Sequence, residues 1–588
     1  MKKDVKIAIL DTYVNIDQPS LNYKVNIIGD NGDNIKINHA TSICDEIIRQ
    51  CANVKIDVYP IFENASEIEP GLIIETLSSI FYSDIRYDII LMSLGIDSFE
   101  YYDETLKICN EIRKKGTILV SAFNHGGGLS IPAAFDCVLG VDITDQLNKP
   151  NEFFYLENKA VNIVCSNRQR RVAAETTGDT ILMAGTSISA AFICGHIAKG
   201  LSCGQCTQIE SSVNEYLKNT AKKVYHESFR SLPNNCFTGK KFVAFPYSKE
   251  MLSMIYNKDF LGYELVSLFD FNHSIHIGTE FESTNNKKII VQNISHIDWE
   301  AFDILVIGHI NQYKNSISKF ESIVSGLIAK AQQHNKQIYC FDTDPIKISK
   351  NDRLLSPHID ECNIPQLNRG RLWNIPLPTL AIVGTGPRQG KFSTMLKLRN
   401  TLIERNYNAS IIATEPSGPL FNAEFTFPYG YNSSVEIKVQ DYPAVINQML
   451  YEIFLKKKDI VLMELQSSIL CRNYHNIDQN TCIQNSVLYG LNPDTHLIII
   501  YPDDDISYVN RINQYLTSHF QSTLVGILVF PVTYRYTIAG HIEEYHMENT
   551  DSYKQCIARL QEIVDAPVLG MNEYFNDIIC DSLIKSLT

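Results

Sequence analysis

The chain has 588 residues, 45% of them apolar and 20% charged, and its 52 basic against 66 acidic side chains give a net charge of −14. This length predicts about three globular domains of ordinary size. The apolar content excludes a largely disordered, collagen-like or coiled-coil protein. The negative charge disfavours nucleic acid and anionic lipid as partners, because both are themselves negatively charged.

The amino-terminal sequence MKKDVKIAILDTYV has only a four-residue apolar stretch before Asp11, which is too short for a secretory signal. No apolar run is long enough to span a membrane. The fifteen cysteines lack the spacing of a disulfide framework. Cys203 and Cys206 form a lone CxxC pair without further ligands nearby, which disfavours a metal or redox role. We therefore predict a cytoplasmic protein without a membrane segment.

The first 200 residues or so alternate short β-rich apolar runs with amphipathic stretches, which predicts parallel strands joined by helices, an α/β fold with a doubly wound sheet. The predicted strands cover residues 5–10, 54–62, 87–94, 116–123 and 137–143. A helix over 211–224 is predicted to close this domain, before the turn-rich segment 230–241.

Two further α/β units are predicted after that segment. The first has strands at 242–245, 302–310 and 336–342 and a helix at 318–334. The proline-containing segment 368–380 then leads to a strand and a glycine-rich turn. We expect three domains, at residues 1–228, 240–375 and 376–588.

Four polar residues of the first domain fall where a doubly wound sheet would bring them to the carboxyl ends of its strands. Asp11 ends the first strand, His39 opens HATSICDEIIRQ, Asn124 ends the strand GTILVSAFN before a run of three glycines, and Ser187 stands in MAGTSISAAFICGHIAKG. A serine hydroxyl needs an imidazole to take its proton, and a carboxylate to orient and stabilise that imidazole. An amide donor such as Asn124 would stabilise an oxyanion.

The blocks around these residues resemble the successive signatures of subtilisin-like serine peptidases, the subtilases, over residues 1–228. They are Asp11-Thr12, His39-Ala40-Thr41, Met92-Ser93-Leu94-Gly95, Ala122-Phe123-Asn124 and Gly185-Thr186-Ser187-Ile188-Ser189. The resemblance implies a catalytic triad of Asp11, His39 and Ser187. It further implies that Ser93, Leu94, Gly95 and Ala122 bind an extended peptide by strand addition.

The sequence departs from the subtilase pattern at three small or packing positions, which here are Tyr13, Ala40 and Ala191. Taken singly, a strand-end aspartate, a lone histidine and a serine before a helix are ordinary structural residues. A pseudopeptidase that keeps the fold only to bind peptides therefore stays open as an alternative. No ligand cluster for structural calcium is visible, and we predict none.

The third domain opens with AIVGTGPRQGKFST, a strand, a glycine-rich turn and a helical stretch, which is the context of a phosphate-binding loop. Gly384, Thr385, Gly386 and Gly390 would supply the turn, and Lys391 would neutralise phosphate charge. Phe392 stands where the motif has a hydroxyl residue, and Ser393 and Thr394 follow it. We expect a nucleotide, ATP with Mg²⁺, at this loop, although a plain strand-to-helix turn is the alternative.

This variant resembles the P-loop of dethiobiotin synthetase and its relatives. That resemblance implies that Glu464, at the end of KKDIVLMELQSSIL, lies near the magnesium together with Ser393. Residues 240–588 together look like bacterial proteins that combine a Rossmann-like half with this P-loop half, a family with D-glutamate N-acetyltransferase-like members. An acyl-coenzyme A phosphate is therefore a second candidate ligand for the loop.

These features predict a subtilisin-like serine endopeptidase fused to a nucleotide-binding module. Its substrate would be a specific small precursor peptide, such as one with the leader of a ribosomally made, modified peptide. Two alternatives remain: an ATP- or acyl-coenzyme-dependent transferase or ligase with an accessory peptidase, and a non-catalytic peptide binder regulated by the nucleotide.

Overall fold

A computed structural model provides the coordinates. It describes residues 3–21, 23–29, 39–62, 69–96, 101–124, 129–157, 161–226, 236–282, 288–342, 354–365, 372–430, 432–471, 481–536, 542–548, 550–571 and 574–587. The three glycines predicted to follow Asn124 lie outside these residues.

The chain divides into two compact units. One comprises residues 1–228 and 370–376, and the other comprises residues 229–369 and 377–588. The second unit contains two sheets, one before and one after residue 370. The three predicted domain boundaries remain predictions.

A nine-stranded sheet with the order β11-β7-β8-β6-β5-β4-β1-β3-β2 forms the centre of the first unit. Its strands are β1 (Val5–Asp11), β2 (Val25–Ile27), β3 (Val54–Pro60), β4 (Ile89–Met92), β5 (Ile118–Ala122), β6 (Leu139–Thr144), β7 (Phe153–Glu157), β8 (Ile163–Ser166) and β11 (Lys223–His226). All neighbours are parallel except β7 and β8. A separate antiparallel ribbon joins β9 (Arg170–Ala173) to β10 (Thr180–Met183).

Helices cover both faces of this sheet. They are α1 (His39–Gln50), α2 (Pro70–Tyr82), α3 (Tyr102–Lys114), α4 (Thr186–Ser202) and α5 (Glu210–Thr220). Alternate residues of β1 serve the two faces: Ile7 and Ile9 pack in the core that contains α1 and α4, and Ala8 and Leu10 pack in the core that contains α2 and α3. This doubly wound arrangement confirms the predicted fold class.

Helix α4 lies in the interior of the unit. Thirteen of its 17 residues are buried, so it is apolar all round rather than on one stripe, as a helix packed on every side must be. A Cβ built on Gly195 would lie 3.0 Å from the carbonyl oxygen of Ile47. α1 and α4 therefore pack closely, and their starts are held at one end of the sheet.

The five strands predicted in this region are present, with ends that shift by at most two residues. The predicted helix 211–224 is shorter, because α5 ends at Thr220 and Lys223 begins the edge strand β11. Strand β11 pairs with β7 in parallel.

The first sheet of the second unit has the strand order β14-β15-β13-β12-β16-β17-β18. Its strands are β12 (Lys241–Phe245), β13 (Glu264–Asp270), β14 (Glu280–Glu282), β15 (Lys288–Asn293), β16 (Ile304–Ile307), β17 (Gln337–Cys340) and β18 (Leu354–Leu355), and its helices are α6 (Lys249–Tyr256) and α7 (Phe320–Gln333). Only β14 runs antiparallel. The strands predicted at 242–245, 302–310 and 336–342 are β12, β16 and β17.

The second sheet of this unit is parallel throughout, with the order β21-β20-β22-β19-β23-β24-β27. Its strands are β19 (Thr379–Gly384), β20 (Ala409–Ala413), β21 (Phe425–Thr426), β22 (Ile460–Glu464), β23 (Thr495–Ile500), β24 (Thr523–Val529) and β27 (Val568–Gly570), and β25 (Val532–Tyr536) pairs with β26 (Ile542–His546) in a hairpin. The helices are α8 (Lys391–Glu404), α9 (Tyr442–Leu455), α10 (Thr481–Leu491), α11 (Ile506–Phe520), α12 (Asp551–Gln561) and α13 (Phe575–Leu587).

One apolar core runs through both sheets of the second unit, from Phe242 and Tyr339 to Leu380 and Phe421. The Tyr339 hydroxyl donates to the carbonyl oxygen of Pro416, which belongs to the loop after β20. None of the described helices combines the length and apolar character needed to cross a bilayer.

Candidate functional sites

The carboxyl end of β1 and the start of α1 bring Asp11 and His39 together. Nδ1 of His39 lies 2.9 Å from Oδ1 and 3.0 Å from Oδ2 of Asp11. The Thr12 N–H also donates to Oδ1 of Asp11, and the Thr12 hydroxyl accepts a hydrogen bond from the N–H of Ala40. These bonds fix the start of α1 against the end of β1, so carboxylate and imidazole are paired by the fold itself.

Burial and charge act in opposite directions on the pKa of His39. Burial lowers this pKa, but the charge of Asp11, its hydrogen bond and the charge of Glu175 outweigh burial and raise the pKa above the ordinary value. The Asp11 side chain is 1% exposed, whereas that of His39 is 26% exposed. The imidazole is therefore accessible to a substrate while the carboxylate that orients it is not.

Ser187 lies in the first turn of α4. The residue before this helix, Gly185, has a φ of 130°, which glycine adopts without strain. Helix α4 therefore begins at Thr186, and the positive end of its dipole lies beside Ser187.

The Ser187 hydroxyl donates to the carbonyl oxygen of Ser93 at 3.2 Å. The Ser93 N–H in turn donates to the carbonyl oxygen of Leu10, the residue before Asp11. Ser187 thus lies at the same sheet edge as the histidine–aspartate pair. Within the described part of the chain, no hydrogen bond joins Ser187 to His39, so proton transfer requires the serine side chain to turn from Ser93 to the imidazole.

Asn124 follows β5 at this edge, and its N–H donates to the hydroxyl of Ser130 at 3.0 Å. A Cβ built on Gly95 would lie 2.7 Å from the nitrogen of Asn124 and 2.9 Å from the carbonyl oxygen of Ala122. The predicted oxyanion residue therefore lies against the predicted peptide-binding segment. Ser130 is fully buried and accepts the hydrogen bond from the backbone of Asn124. No sequence motif identifies this residue.

The segment Ser93–Gly95 keeps part of its backbone available. The Ser121 hydroxyl donates a hydrogen bond to the carbonyl oxygen of Leu94. The N–H groups of Leu94 and Gly95 have no acceptor among the residues described. These groups are suited to bind an extended chain laid alongside the segment.

The three departures from the subtilase pattern, Tyr13, Ala40 and Ala191, leave the hydrogen bond between Asp11 and His39 in place. Ala40 and Ala191 are fully buried in the core shared by α1 and α4. Tyr13 follows Thr12 in the turn after β1 and is half-buried. The Asp11–His39 bond forms with all three residues in place.

In the second unit, the loop between β19 and α8 is closed by Gln389. Its carboxamide accepts a hydrogen bond from the N–H of Gly386 at 3.0 Å and donates to the Thr385 hydroxyl at 2.7 Å. A Cβ on Gly384 would lie 2.4 Å from the Gln389 oxygen, so a larger residue there would displace the Gln389 carboxamide. The ammonium of Lys391 donates to the carbonyl oxygen of Gly386. These hydrogen bonds within the loop define the conformation of its backbone.

The outer side of this loop offers hydrogen-bond donors. The backbone N–H groups of Arg388, Gln389 and Gly390 have no acceptor among the residues that the structure describes, and α8 begins at Lys391 with the free amides of its first turn. A row of unpaired N–H groups, a helix start and a lysine make an anion-binding concavity. The residues present fit a phosphate group.

Two buried oxygen atoms near the loop also lack partners. The Thr394 hydroxyl and Oε2 of Glu464 have no hydrogen bond within the described residues. Oε1 of Glu464 accepts hydrogen bonds from the N–H and the hydroxyl of Thr414, both at 2.8 Å. Burial raises the pKa of Glu464 to about 8, because the hydrogen bonds from Thr414 only partly offset the loss of solvation. Oε2 is the Glu464 atom left for a cation or a donor.

Phe392 does not contribute a ligand atom. Its ring is buried and lies 5.2 Å from that of Phe421. Ser393 is half-buried and remains the predicted magnesium residue together with Glu464. Sequence reasoning missed Gln389, Tyr501 and Asp504: the Tyr501 hydroxyl donates to the carbonyl oxygen of Pro387, and the Thr385 hydroxyl donates to Asp504.

Among the described residues, no group of three or more histidine, cysteine, aspartate or glutamate side chains is placed to hold a metal ion. All fifteen cysteines lie in the described part of the chain, and each is a free thiol.

Two family models match separate parts of the chain. The model of the Subtilase family matches residues 2–237. The model of the P-loop domain of a family described as a domain of unknown function, DUF1611, matches residues 366–572. No curated protein matches the sequence.

Three solved structures are similar to parts of this chain at low identity. A DUF1611 family protein from Anabaena variabilis is 15% identical, with a TM-score of 0.41, over 59% of this chain and 99% of that chain. The prenylagaramide maturation protease PagA is 18% identical, with a TM-score of 0.27, over 33% and 73%. A cold-adapted subtilisin-like serine proteinase is 16% identical, with a TM-score of 0.31, over 38% and 85%.

The two matched segments contain the two sites described above. Asp11, His39, Asn124 and Ser187 all lie within the first match, and the loop between β19 and α8 lies within the second. The chain therefore contains one segment that matches the subtilase family model and a second that matches the DUF1611 P-loop model.

Proposed function

We propose that the first unit is a serine endopeptidase that cleaves a specific peptide. The observation that carries the proposal is the buried Asp11 bonded to a partly exposed His39, at the same sheet edge as Ser187 at the start of α4. The match to the subtilase family supports it.

In the proposed mechanism, the Ser187 hydroxyl leaves the Ser93 carbonyl and donates its proton to Nε2 of His39 as its oxygen attacks the peptide carbonyl. Asp11 holds the imidazole in the tautomer that accepts this proton and stabilises the cation that forms. The side-chain amide of Asn124 and the N-terminal amides of α4 stabilise the oxyanion. The imidazolium then protonates the leaving amine, and water releases the acyl group by the same route in reverse.

The substrate peptide would pair with Ser93–Gly95, whose free N–H groups supply affinity that does not depend on sequence. Fifteen free thiols suit a reducing, cytoplasmic compartment. An unselective peptidase in that compartment would degrade other proteins, so we propose a narrow target. A small precursor peptide, such as one with the leader of a ribosomally made and modified peptide, is the substrate class we favour.

The test is to incubate the purified chain with precursor peptides encoded beside its gene and, separately, with unrelated unfolded proteins. We expect cleavage at one position of a precursor into two fragments whose masses add to that of the substrate plus water. The Ser187→Ala chain is the matched control and should leave the peptide intact. Equal digestion of the unfolded proteins would contradict the narrow specificity, and cleavage by Ser187→Ala would contradict the mechanism.

A second function, nucleotide binding by the P-loop domain, is supported by the unpaired N–H groups of Arg388, Gln389 and Gly390. We propose that these groups and Lys391 hold the phosphates of ATP, and that Ser393 and Glu464 hold Mg²⁺. When bound, this pair would supply a phosphoryl group for a transferase or ligase step. The geometry equally accommodates the phosphate of an acyl-coenzyme A.

Titration of the chain with ATP and Mg²⁺, and separately with coenzyme A, tests this second function. We expect Lys391→Ala to weaken nucleotide binding by at least tenfold, because it removes the only lysine of the loop. Lys397→Ala, on an exposed position of the same helix, is the control and should bind as the unmodified chain does. Equal binding by all three chains would remove the nucleotide from this loop.

A further inference from the structure

The second unit contains another histidine–aspartate pair, distant in sequence from the P-loop residues. Nδ1 of His309 lies 2.8 Å from Oδ1 of Asp342. Oδ2 of Asp342 accepts hydrogen bonds from the N–H groups of Ile310 and Asn311, at 2.8 and 2.9 Å. Both carboxylate oxygens are therefore occupied, and the imidazole is held in the tautomer that carries its proton on Nδ1.

The other ring nitrogen is left open. Nε2 of His309 forms no hydrogen bond with any residue that the structure describes, although the side chain is only 5% exposed. By contrast, His496 in the same unit bonds Ser522 through Nδ1 and Asn513 through Nε2, as a purely structural buried histidine does.

The pair lies where open parallel sheets bind ligands. His309 follows β16 and Asp342 follows β17, so both are at the carboxyl edge of the sheet. The strand order reverses between β12 and β16, because β13 and β15 lie on one side of β12 and β16 to β18 on the other. Ligands of such sheets occupy the crevice at that reversal. Residue 309 is two positions beyond Ile307, which pairs with Phe245 at the end of β12.

The groups around this crevice are mainly hydrogen-bond acceptors. Asp270 ends β13, and Glu250 lies in the first turn of α6, where it accepts a hydrogen bond from Ser248. Burial raises the pKa of Tyr313, and the charges of Asp270 and Glu250 raise it further, so this phenol stays protonated. Within the described residues, no lysine or arginine pairs with Glu250, Asp270 or Asp342.

We propose that His309 and Asp342 form the proton-accepting centre of a second ligand site, at the carboxyl edge of the β12–β18 sheet, which takes a small polar amine or alcohol. An N–H or O–H group complements the open Nε2, and the carboxylates around it disfavour an anion. We therefore expect a phosphate or carboxylate ligand to bind at the P-loop rather than at this site.

The proton transfer balances within the site. The ligand's N–H or O–H bond breaks, a new N–H bond forms at Nε2 of His309, and the electron pair stays on the ligand atom as a nucleophile. The carboxylate of Asp342 compensates the charge of the imidazolium. This role is independent of Ser187, so it stands or fails separately from the peptidase proposal.

Thermal unfolding of the Ser187→Ala full chain, with ethanolamine, ribose or inorganic phosphate added, tests this site. We expect ethanolamine or ribose to raise the unfolding temperature by roughly 2–4 °C at about ten times its dissociation constant. The two probes distinguish an amine from an alcohol ligand. The effect should vanish in His309→Asn, which retains a donor towards Asp342 but has no Nε2, and in Asp342→Asn.

Two controls separate loss of the site from loss of the fold. Phosphate should still stabilise the His309→Asn chain through the P-loop, and that response should disappear in Lys391→Ala. His496→Asn removes a fully bonded histidine of the same unit and should leave the ethanolamine or ribose response unchanged. If neither organic probe stabilises the chain, or if stabilisation persists in both His309→Asn and Asp342→Asn, the proposal is wrong.

Discussion

The Asp11–His39 pair and the Asp342–His309 pair are built in the same way and differ in the solvent exposure of the histidine. In each, a buried aspartate at the carboxyl end of a parallel strand binds Nδ1 of a histidine, at 2.9 Å for Asp11 and His39 and at 2.8 Å for Asp342 and His309. The His39 side chain is 26% exposed and the His309 side chain 5%. His39 lies at the same sheet edge as a serine at a helix start, whereas the charged group in contact with His309 is the carboxylate of Asp342.

This difference indicates what a sheet edge supplies and what it does not. In both cases the aspartate lies at the carboxyl end of a parallel strand; its histidine opens α1 in the first pair and follows the neighbouring strand in the second. The neighbouring groups then determine the chemistry: a serine beside the first pair provides a nucleophile, and acceptors beside the second leave the imidazole to act on a ligand.

The largest expected effect is on peptide cleavage, which should depend on the first pair and not on the second. Ser187→Ala should lower the rate of peptide cleavage by on the order of 10⁶-fold, because the nucleophile is lost. His309→Asn should leave cleavage of the same peptide unchanged. Steady-state rates of the three chains on one fluorogenic peptide measure both. A loss of cleavage in His309→Asn would show that the two pairs serve one reaction.

Asp11→Asn should lower kcat by about 10⁴-fold, because an asparagine no longer fixes the tautomer that accepts the Ser187 proton. The matched change, Asp342→Asn, should leave kcat for the peptide as it was. Equal kcat in Asp11→Asn and the unmodified chain would contradict the assignment of Asp11.

Asn124→Ala should lower kcat by about 10²–10³-fold with little change in KM, because its amide stabilises only the oxyanion. Ser130→Ala should cost less, since it loosens the backbone of Asn124 without removing the amide. A change in KM alone for Asn124→Ala would place this residue in peptide binding instead.

The pH dependence should follow from His39. Because Asp11 raises the pKa of His39 above the ordinary 6.5, the imidazole becomes protonated, and cleavage falls, at a higher pH than for a free histidine. Asp11→Asn should move this acid limb to lower pH. The profile of kcat/KM for the two chains measures the shift, and identical limbs would contradict the role of Asp11.

The smallest expected effect concerns Glu464. Its pKa is raised to about 8 from 4.5, so between these values the folded state binds more protons than the unfolded state, and stability falls as pH rises. Glu464→Gln should remove that part of the pH dependence. The measurement is the unfolding temperature of the unmodified chain and of Glu464→Gln at pH 5 and pH 8. An equal decrease in unfolding temperature from pH 5 to pH 8 in both chains would show that Glu464 is not the group responsible.

The sequence predicted the first pair because Asp11, His39 and Ser187 each lie in a short block whose neighbours are informative, and these blocks recur in a fixed order. His309 and Asp342 lie 33 residues apart in stretches that read only as buried strands. Nothing local marks them, because their pairing arises from β16 and β17 being neighbours in the sheet. The α/β fold could be predicted from the apolar runs of the strands, because these runs indicate which segments are buried.

Residues that act through hydrogen bonds across loops were the hardest to predict. Gln389 reads as an ordinary polar residue of a glycine-rich turn, and only coordinates show its carboxamide bound to Gly386 and Thr385. Ser130 supports Asn124 across a segment of six residues. The early end of α5 was also missed, since the polar residues 218–222 fit a helix end and a strand start equally well.

The most direct test of the peptidase assignment is labelling of the intact chain with a fluorophosphonate, followed by mapping of the adduct by mass spectrometry. The account predicts one adduct, on Ser187, that disappears in Ser187→Ala, forms far more slowly in Asp11→Asn and is retained in Ser189→Ala, a buried serine of the same helix. An unlabelled chain, or labelling that is undiminished in Asp11→Asn, would contradict it.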